Sequence, residues 1–294
     1  MKRCLACDAR YQAPVQPADE YCPNCNSVVT IDQGVQVFAP DSTQSSEGFK
    51  AEYFDDLVRV EEHNFWFRAR NKLIAWAFGK YAHPVDDVLE IGCGNGYVLS
   101  GLQKAFPKAR LSGSEIFLNG LHFAAQRLPN VTLMQMDARD IPFANHFDVI
   151  GAFDVLEHIQ EDEKVLEQVH NALKPSGRII LSVPQHMWLW SVTDDYACHV
   201  RRYTAHELKT KLETAGFDIE RSTSFVFFLL PAMLASRLSK RNVSAEDLDT
   251  SAELQLNSVM NTLLYWIMLS EAFLIKLGFS FPVGGSRLIV ARKR

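Results

Sequence analysis

"VLEIGCGNGY", residues Val88 to Tyr97, is the stretch that decides the fold class of this chain. It leads from an apolar segment, typical of a buried strand, into three glycines spaced one residue apart: Gly92, Gly94 and Gly96. Glycine allows a sharp turn and a close approach of the backbone to a ligand. From residue 86 onward, strand-like and helix-like runs alternate, which predicts an α/β fold with a mostly parallel sheet covered by helices.

The predicted strands carry acidic residues at or beside their carboxyl ends, where such sheets bind ligands. These are Glu90, Glu115, Asp137 and Asp154. Carboxylates oppose a phosphate ligand, and the turn has neither the Gly-Lys-Ser/Thr of a Walker loop nor the G-x-G-x-x-G spacing of dinucleotide folds. A phosphate-free nucleoside with a positive centre fits better, because Glu115 suits ribose hydroxyls, Asp137 an adenine amine and Glu90 an ammonium group.

Four segments together resemble successive motifs of the class I S-adenosylmethionine-dependent methyltransferases: "VLEIGCGNG", "GSEI", "MQMDARDIPF" and "FDVIGAFDVLEHI", within roughly residues 86–220. The resemblance implies a Rossmann-like seven-stranded sheet of order 3-2-1-4-5-7-6, with "SRLIVARK" (286–293) as the antiparallel seventh strand. Where many members have Val-Asp, this chain has Ser114 and Glu115, and glutamate keeps the chemistry. The resemblance implies S-adenosylmethionine as cofactor, bound by Glu90, Gly92, Cys93, Gly94, Gly96, Glu115, Ile116, Asp137, Ala138, Phe153 and Asp154.

Four of the six cysteines lie in the first 25 residues, as "CLAC" and "YCPNC": Cys4, Cys7, Cys22 and Cys25. Fourteen residues separate the two pairs, close to the spacing of four-cysteine zinc sites. We expect a zinc-ribbon-like module over 1–38 that the metal holds together, followed by a polar linker at 39–48. A four-thiolate shell has no open position, so the zinc would be structural, and the spacing also allows iron.

A methyltransferase domain is expected over 49–294, with helices at 49–84 and a core formed by 86–226 and 285–294. His63, Trp66, Arg68 and Arg70 would reach a ligand if a helix crosses the mouth of the site. A helical insertion at 227–284 contains a long apolar helix, interrupted by Glu271 and Lys276, which argue against a membrane span. Three roles stay open for 225–285: a lid, a dimer interface or a membrane contact aided by the basic "LSKR" and "ARKR" runs.

His158, after the fourth strand of the motif series, is the candidate catalytic residue, with a capping role as the alternative. The segment Pro184–Tyr203 is rich in aromatic and charged side chains and is the candidate acceptor wall. The alternative is that an arginine in it pairs with Asp194 or Asp195 and fixes the loop. The candidate acceptor residues are Trp188, Trp190, His199, Arg201, Arg202 and Tyr203, whose cations suit a carboxylate or phosphate.

The net charge of −5 argues against a protein held to nucleic acid by bulk charge. The start "MKRCLACDAR" has no apolar stretch behind its basic residues, so we expect the cytoplasm. A peripheral position at the inner membrane face is the alternative that follows if 225–285 forms a membrane contact. We therefore expect methyl transfer to a small-molecule or lipid-linked acceptor. The alternatives are an RNA base methyltransferase with a zinc module and a non-catalytic cofactor-binding scaffold. The oligomeric state stays open.

Overall fold

The computed structural model describes residues 1–12, 20–40, 52–83, 85–239 and 256–294. Most of the expected linker, at 41–48, and the cations Lys240 and Arg241 of the "LSKR" run lie outside the described residues. The strands are β1 (Lys2–Arg3), β2 (Arg10–Tyr11), β3 (Thr30–Asp32), β4 (Val35–Val37), β5 (Asp87–Ile91), β6 (Arg110–Glu115), β7 (Thr132–Gln135), β8 (Phe147–Phe153), β9 (Leu173–Pro184), β10 (Phe217–Phe225) and β11 (Ser286–Lys293).

The helices include four that flank the sheet strands in the expected alternation and others at the amino-terminal and insertion segments. They are α1 (Glu52–Val60), α2 (Phe65–Tyr81), α3 (Tyr97–Ala105), α4 (Leu118–Arg127), α5 (Asp162–Ala172), α6 (Val192–Tyr196), α7 (Ala205–Thr214), α8 (Leu230–Ser239) and α9 (Ser258–Lys276). Two short 3-10 turns lie at Leu156–His158 and Met187–Leu189.

A nine-stranded sheet forms the centre, in the order β10-β11-β9-β8-β5-β6-β7-β4-β3. Seven of these strands, in the spatial order β7-β6-β5-β8-β9-β11-β10, reproduce the expected order 3-2-1-4-5-7-6. This confirms the Rossmann-like prediction. The "SRLIVARK" segment is β11 and pairs antiparallel with both β9 and β10, as predicted. Because β5, β6, β7 and β8 run parallel, their carboxyl ends meet at one edge of the sheet and define the mouth of a site.

The amino-terminal segment joins this sheet. Strand β4 pairs in parallel with β7, and β3 pairs antiparallel with β4, so the hairpin adds two strands at the β7 edge. The Gln135 side chain fixes the exit from the hairpin, because its Oε1 accepts from Ala39 N and its Nε2 donates to Ala39 O. The backbone of Arg3 also donates to Pro142 O, which ties the first strand to the loop after β7.

Two helices occupy the helical segment expected at 49–84. The break between α1 and α2 lies at 61–64, where the Asn64 side chain caps α2 by accepting from Trp66 N. Asparagine is a favourable cap because its oxygen satisfies a backbone amide that has no partner within the helix. The break turns α2 toward the mouth of the site.

Helices α8 and α9 fill the insertion between the last two strands, as expected. The buried face of α9 packs on α2, and the Asn261 side chain joins their amino-terminal ends by accepting from Phe65 N and donating to His63 O. Glu271, which interrupts the apolar run, is buried, and its carboxylate accepts from the backbone amides of Phe227 and Phe228. By length and composition alone, α9 is long and apolar enough to cross a membrane, the one such helix among the described residues.

Candidate functional site

The glycine turn after β5 has a backbone that only glycine adopts easily. Gly92, Gly94 and Gly96 have φ of 65°, 52° and 78°. A Cβ on Gly92 would lie 2.4 Å from Val155 Cγ2, so the turn and the loop after β8 approach each other too closely for a side chain. The turn therefore forms a narrow cradle whose backbone faces the mouth of the site.

Glu115, at the end of β6, braces this cradle. Its carboxylate accepts from the backbone amides of Ile116 at 2.7 Å, Gly94 at 3.2 Å and Phe117 at 3.3 Å. Burial raises the pKa of Glu115, and the three amide hydrogen bonds oppose that rise. The side chain is thus fixed next to the turn, in a position to accept from a ligand's hydroxyl groups.

Glu90, on β5 beneath the turn, is 2% exposed, and its Oε2 has no hydrogen-bond partner within the described part of the chain. Burial raises the pKa of Glu90 well above its ordinary range, against the charge of Arg70 and a hydrogen bond from the Leu99 backbone. A buried carboxylate oxygen without a partner is costly, and a cationic or hydrogen-bond-donating ligand would satisfy it.

Asp154 follows β8 with φ of 58°, and Arg70 of α2 lies 2.5 Å from its carboxylate. Ser182 donates to the other oxygen at 3.3 Å. The Arg70 guanidinium also lies over the rings of Trp66 and Phe153. Of the four α2-side residues considered in the sequence analysis, Arg70 thus lies beside Asp154, although no motif marks it.

Phe153 is buried and lies 6.3 Å, centroid to centroid, from Phe78 of α2, so it supports the floor of the site from the core side. Asp137, after β7, is partly exposed and forms a bidentate ion pair with Arg139. Burial raises the pKa of Asp137, but the hydrogen bonds from Arg139 outweigh it and leave the pKa below its ordinary value. The neighbouring Ala138 is buried, and Ile116 follows Glu115 on the same edge of the sheet.

His158 lies in the 3-10 turn after β8, with its ring centroid 4.7 Å from that of His199. Burial and the charge of His199 lower the pKa of His158 to about 4. Glu157, which no sequence motif singles out, is completely buried between the same elements, and burial raises its pKa well above the ordinary range. The pattern "LEH" alone does not reveal that His199, far along the chain, completes this group.

The aromatic segment after β9 forms a wall held by internal ion pairs. Arg202 Nε lies 2.6 Å from Asp194, which confirms that an arginine pairs with this aspartate. Arg201 lies 2.9 Å from Asp162, whose carboxylate also accepts from the buried Tyr203 hydroxyl. The two cations and the tyrosine therefore position the loop through contacts within the protein.

The two tryptophans of the segment differ in their surroundings. Trp188 is 56% exposed and stacks on His186, with ring centroids 5.1 Å apart. Trp190 donates from its indole nitrogen to Asp195 at 2.9 Å. Trp188 is thus the large aromatic surface of this wall that is open to solvent.

The four amino-terminal cysteines converge. The Sγ atoms of Cys4 and Cys25 are 3.6 Å apart, as are those of Cys7 and Cys22, and all four lie within 4.8 Å of one another. Each pair is followed by a residue with positive φ, Asp8 at 61° and Asn26 at 58°, so the two turns have matching backbones. Four thiols at the corners of a small volume suit a tetrahedral ion.

Comparison with known proteins places the central part of the chain in one family. Residues 59–222, more than half of the chain, match the family described as "Methyltransferase domain". A probable S-adenosylmethionine-dependent methyltransferase of Mycolicibacterium smegmatis is 29% identical over 166 residues, which cover 55% of this chain and 62% of that protein. Trans-aconitate 2-methyltransferase of Azoarcus sp. is 31% identical over 106 residues, 35% of this chain and 42% of that protein. The chain thus spans less than two thirds of the length of these relatives.

Solved structures show the same fold. The [4+2]-cyclase SpnF superimposes with a TM-score of 0.56 at 18% identity, covering 87% of this chain and 98% of that one. A Haemonchus contortus phosphoethanolamine N-methyltransferase, solved with phosphomonomethylethanolamine and S-adenosylhomocysteine, superimposes with a TM-score of 0.55 at 18% identity, over 86% of this chain and 60% of that one. The family match, the strand order and the glycine turn after β5 agree, and the chain belongs to the methyltransferase-domain family.

Proposed function

We propose that the protein binds S-adenosylmethionine at the mouth formed by β5, β6, β7 and β8 and transfers its methyl group to a small-molecule acceptor. The observation that carries the proposal is the buried, unpartnered Oε2 of Glu90 beside a glycine cradle that a side chain would fill. The ammonium group of such a ligand would donate to Glu90, and its ribose hydroxyls would donate to Glu115. The names of relatives such as trans-aconitate 2-methyltransferase support a small acceptor.

The residues of the site fit this ligand in the order that the family resemblance implies. The backbone of Gly92 to Gly96, with Cys93, would pass beneath the cofactor, and Glu115 with Ile116 would face the ribose. Asp137 and Ala138 would face the adenine, and Phe153 and Asp154 the methionine end. Asp154 is already oriented by Arg70 and Ser182, so its carboxylate needs little reorganisation on binding.

The bound cofactor would supply an electrophilic methyl group on a sulfonium, and the chain's own residues would align the acceptor with it. Trp188 offers an exposed aromatic face to the acceptor. His158 and His199 contact each other in the loops after β8 and β9 and would contact the acceptor. Because its pKa is about 4, His158 is neutral near pH 7 and is a weak base there, so we assign it an acceptor-contacting role.

The test is incubation of the purified protein with methyl-labelled S-adenosylmethionine and a fractionated extract, followed by separation of small-molecule, lipid and RNA pools. Label in the small-molecule or lipid pool is expected. Label in RNA alone would favour the RNA methyltransferase alternative. Calorimetric binding of S-adenosylhomocysteine without labelling of any pool would favour a scaffold, and absence of binding would refute the cofactor assignment.

We also propose that Cys4, Cys7, Cys22 and Cys25 hold a structural zinc ion. The matched turns and the short Sγ distances support this, and the segment has few apolar residues with which to fold otherwise. Native mass spectrometry before and after chelation should reveal one bound ion that is lost with chelator. A protein that carries no metal after expression with zinc would refute the proposal. A bound mass that corresponds to iron would identify the ion as iron instead of zinc.

A third proposal concerns the surface of α9, which we infer to rest on a lipid membrane and to admit a lipid-linked acceptor. Its solvent side is an apolar stripe, defined as Val259, Met260, Leu263, Trp266, Phe273 and Leu277, and Val259 and Trp266 are 78% and 63% exposed. The only acid of α9, Glu271, is buried, and the only exposed charge is Lys276. A stripe with Trp, Phe and one cation suits an interface with anionic headgroups.

The stripe begins next to α2, because Asn261 bonds to Phe65 and His63 at the amino-terminal end of that helix. An acceptor that leaves the membrane there would have a short path to Asp154, which α2 contacts through Arg70. This continuity favours a lipid surface over a second copy of the chain as the occupant.

Cosedimentation with phosphatidylglycerol-containing vesicles tests this proposal. The double variant L263E/W266E should lose vesicle binding, whereas the control V28E, which charges an exposed valine on the amino-terminal module, should keep it. Sedimentation velocity without vesicles is measured in parallel. A dimer that the double variant abolishes, with no vesicle binding by the unmodified protein, would assign the stripe to a protein interface and overturn the proposal.

A further inference from the structure

One side-chain cluster next to the site carries metal-ligating groups that the proposed cofactor does not use. Glu157 and His158 come from the 3-10 turn after β8, and His199 comes from the loop after α6. One ligand atom from each residue lies within 4.8 Å of the others. Among the described residues, two groups of three or more side chains could hold a metal ion: the four cysteines and this cluster.

Glu157 is the unsatisfied member of this cluster. The residue is completely buried, and neither carboxylate oxygen has a hydrogen-bond partner within the described ranges. A buried carboxyl group without a partner costs free energy in either protonation state, because it gives up its hydrogen bonds to water. A cation held between Glu157 and two imidazoles would recover that free energy.

His199 is oriented as a metal-bound histidine commonly is. Its Nδ1 lies 2.9 Å from Asp194 Oδ1, and Asp194 is itself fixed by Arg202 and Arg237. A proton on Nδ1, donated to this carboxylate, leaves the lone pair on Nε2. The carboxylate–histidine pairing sets the tautomer and raises the basicity of the free nitrogen, as in metal sites of known proteins.

His158 is held in a comparable way from the other side. The ring of His158 donates to the backbone carbonyl groups of Ala197 and Cys198. The His158 and His199 rings meet at an interplanar angle of 80°. Both imidazoles are thus positioned by contacts outside the cluster, so a metal ion would need little rearrangement to bind.

We propose that Glu157, His158 and His199 form a binding site for a divalent transition-metal ion. Two imidazoles and one carboxylate suit manganese, iron, cobalt, nickel or zinc better than magnesium or calcium. Three protein ligands leave open coordination positions, which distinguishes this site from the closed shell of four cysteines.

The use of the ion rests on the proposed function, whereas its binding does not. An acceptor hydroxyl or carboxyl group that coordinates the ion would lose its proton to water more readily. The resulting oxygen would then form the new bond to the methyl carbon while the carbon–sulfur bond breaks, and the leaving product would be a neutral thioether. In this scheme His158 is a ligand that positions the acceptor through the ion.

The test uses the full chain, stripped of metal and reloaded with one equivalent of zinc, which the four thiolates should take first. This protein is then titrated with Mn²⁺ or Co²⁺ alone. Calorimetry and the electron paramagnetic resonance of Mn²⁺ report binding without reference to activity. The unmodified protein should bind a second ion. E157Q and H158N should weaken that binding by more than about a hundredfold. D194N, which alters the carboxylate that pairs with His199, Arg202 and Arg237, should weaken it by about 10- to 100-fold in a protein that stays folded.

The control H206Q changes an exposed histidine of α7 and should bind the second ion as the unmodified protein does. Thermal unfolding of each variant separates loss of the site from loss of the fold, and the zinc content shows that the cysteine site is intact. Absence of a second ion in the unmodified protein, or equal binding by folded E157Q and H158N, would overturn the proposal. A second ion without methyl transfer would overturn the proposed function and leave the metal site standing.

Discussion

Replacement of Glu115 tests the cofactor site most directly. The carboxylate accepts from three backbone amides, of which the Ile116 amide at 2.7 Å is the shortest. Two ribose hydroxyls would add hydrogen bonds to a charged acceptor, each contributing about 1.5–3 kcal/mol. Because the hydroxyls compete with amides already bound, we expect a net loss of about 2–3 kcal/mol for Glu115→Ala. That corresponds to a roughly 30- to 150-fold weaker affinity for S-adenosylhomocysteine.

Titration calorimetry with S-adenosylhomocysteine measures this change. Glu115→Gln keeps the volume and one acceptor oxygen, so it should fall between the alanine variant and the unmodified protein. Glu213→Ala, which removes an exposed carboxylate on α7, serves as the matched control and should bind normally. If folded Glu115→Ala binds within about threefold of the unmodified protein, the ribose assignment is wrong.

Three further predictions concern stability. Gly92→Ala should lower the free energy of unfolding by about 2–5 kcal/mol, because it combines a left-handed backbone with a contact on Val155, and thermal unfolding measures this. Chelation of the cysteine site, or Cys22→Ser, should lower the melting temperature and weaken cofactor binding, because the module docks beside the loop after β7. Burial raises the pKa of Asp87, but hydrogen bonds from Arg110 and Lys174 lower it to about 2. Since the folded-state pKa lies below the unfolded value, this contribution is fully present above about pH 3.8 and is lost as the pH falls through 2. Asp87→Asn should therefore cost about 1 kcal/mol at pH 7, after allowance for solvent screening, and clearly less at pH 2, as measured by urea denaturation.

Each has a result that would contradict it. Gly278 has φ of 107° and no atom within 4 Å of its added Cβ, so Gly278→Ala measures the cost of backbone strain alone. If Gly92→Ala lowers the free energy of unfolding by the same amount, the contact with Val155 contributes nothing. Unchanged melting after complete metal removal would contradict the zinc-dependent fold. A constant difference between Asp87→Asn and the unmodified protein from pH 2 to 7 would contradict the ion-pair contribution.

The sheet was predictable because its information is local: each strand, turn and acid of the motif series stands in order along the chain. The contacts between side chains of distant segments could not be predicted from the sequence. The contact of Arg70 with Asp154 depends on where the break at Asn64 directs α2, and a helical pattern does not contain that direction. Likewise, His158 and His199 meet only because the segment after β9 folds back over the turn after β8. The pairing of Arg202 with Asp194, in contrast, was among the sequence-level alternatives because both residues lie in one short segment.

The hairpin of β3 and β4 has a consequence for how the protein avoids self-association. Without it, β7 would be the last strand of the sheet and would present an open row of amide and carbonyl groups, which attracts other chains. A chain shortened to start after residue 38 would keep every residue of the family match and yet uncover that border. The amino-terminal hairpin therefore covers part of that border and leaves the three-residue strand β3 as the edge, and a short edge strand offers fewer open groups to other chains.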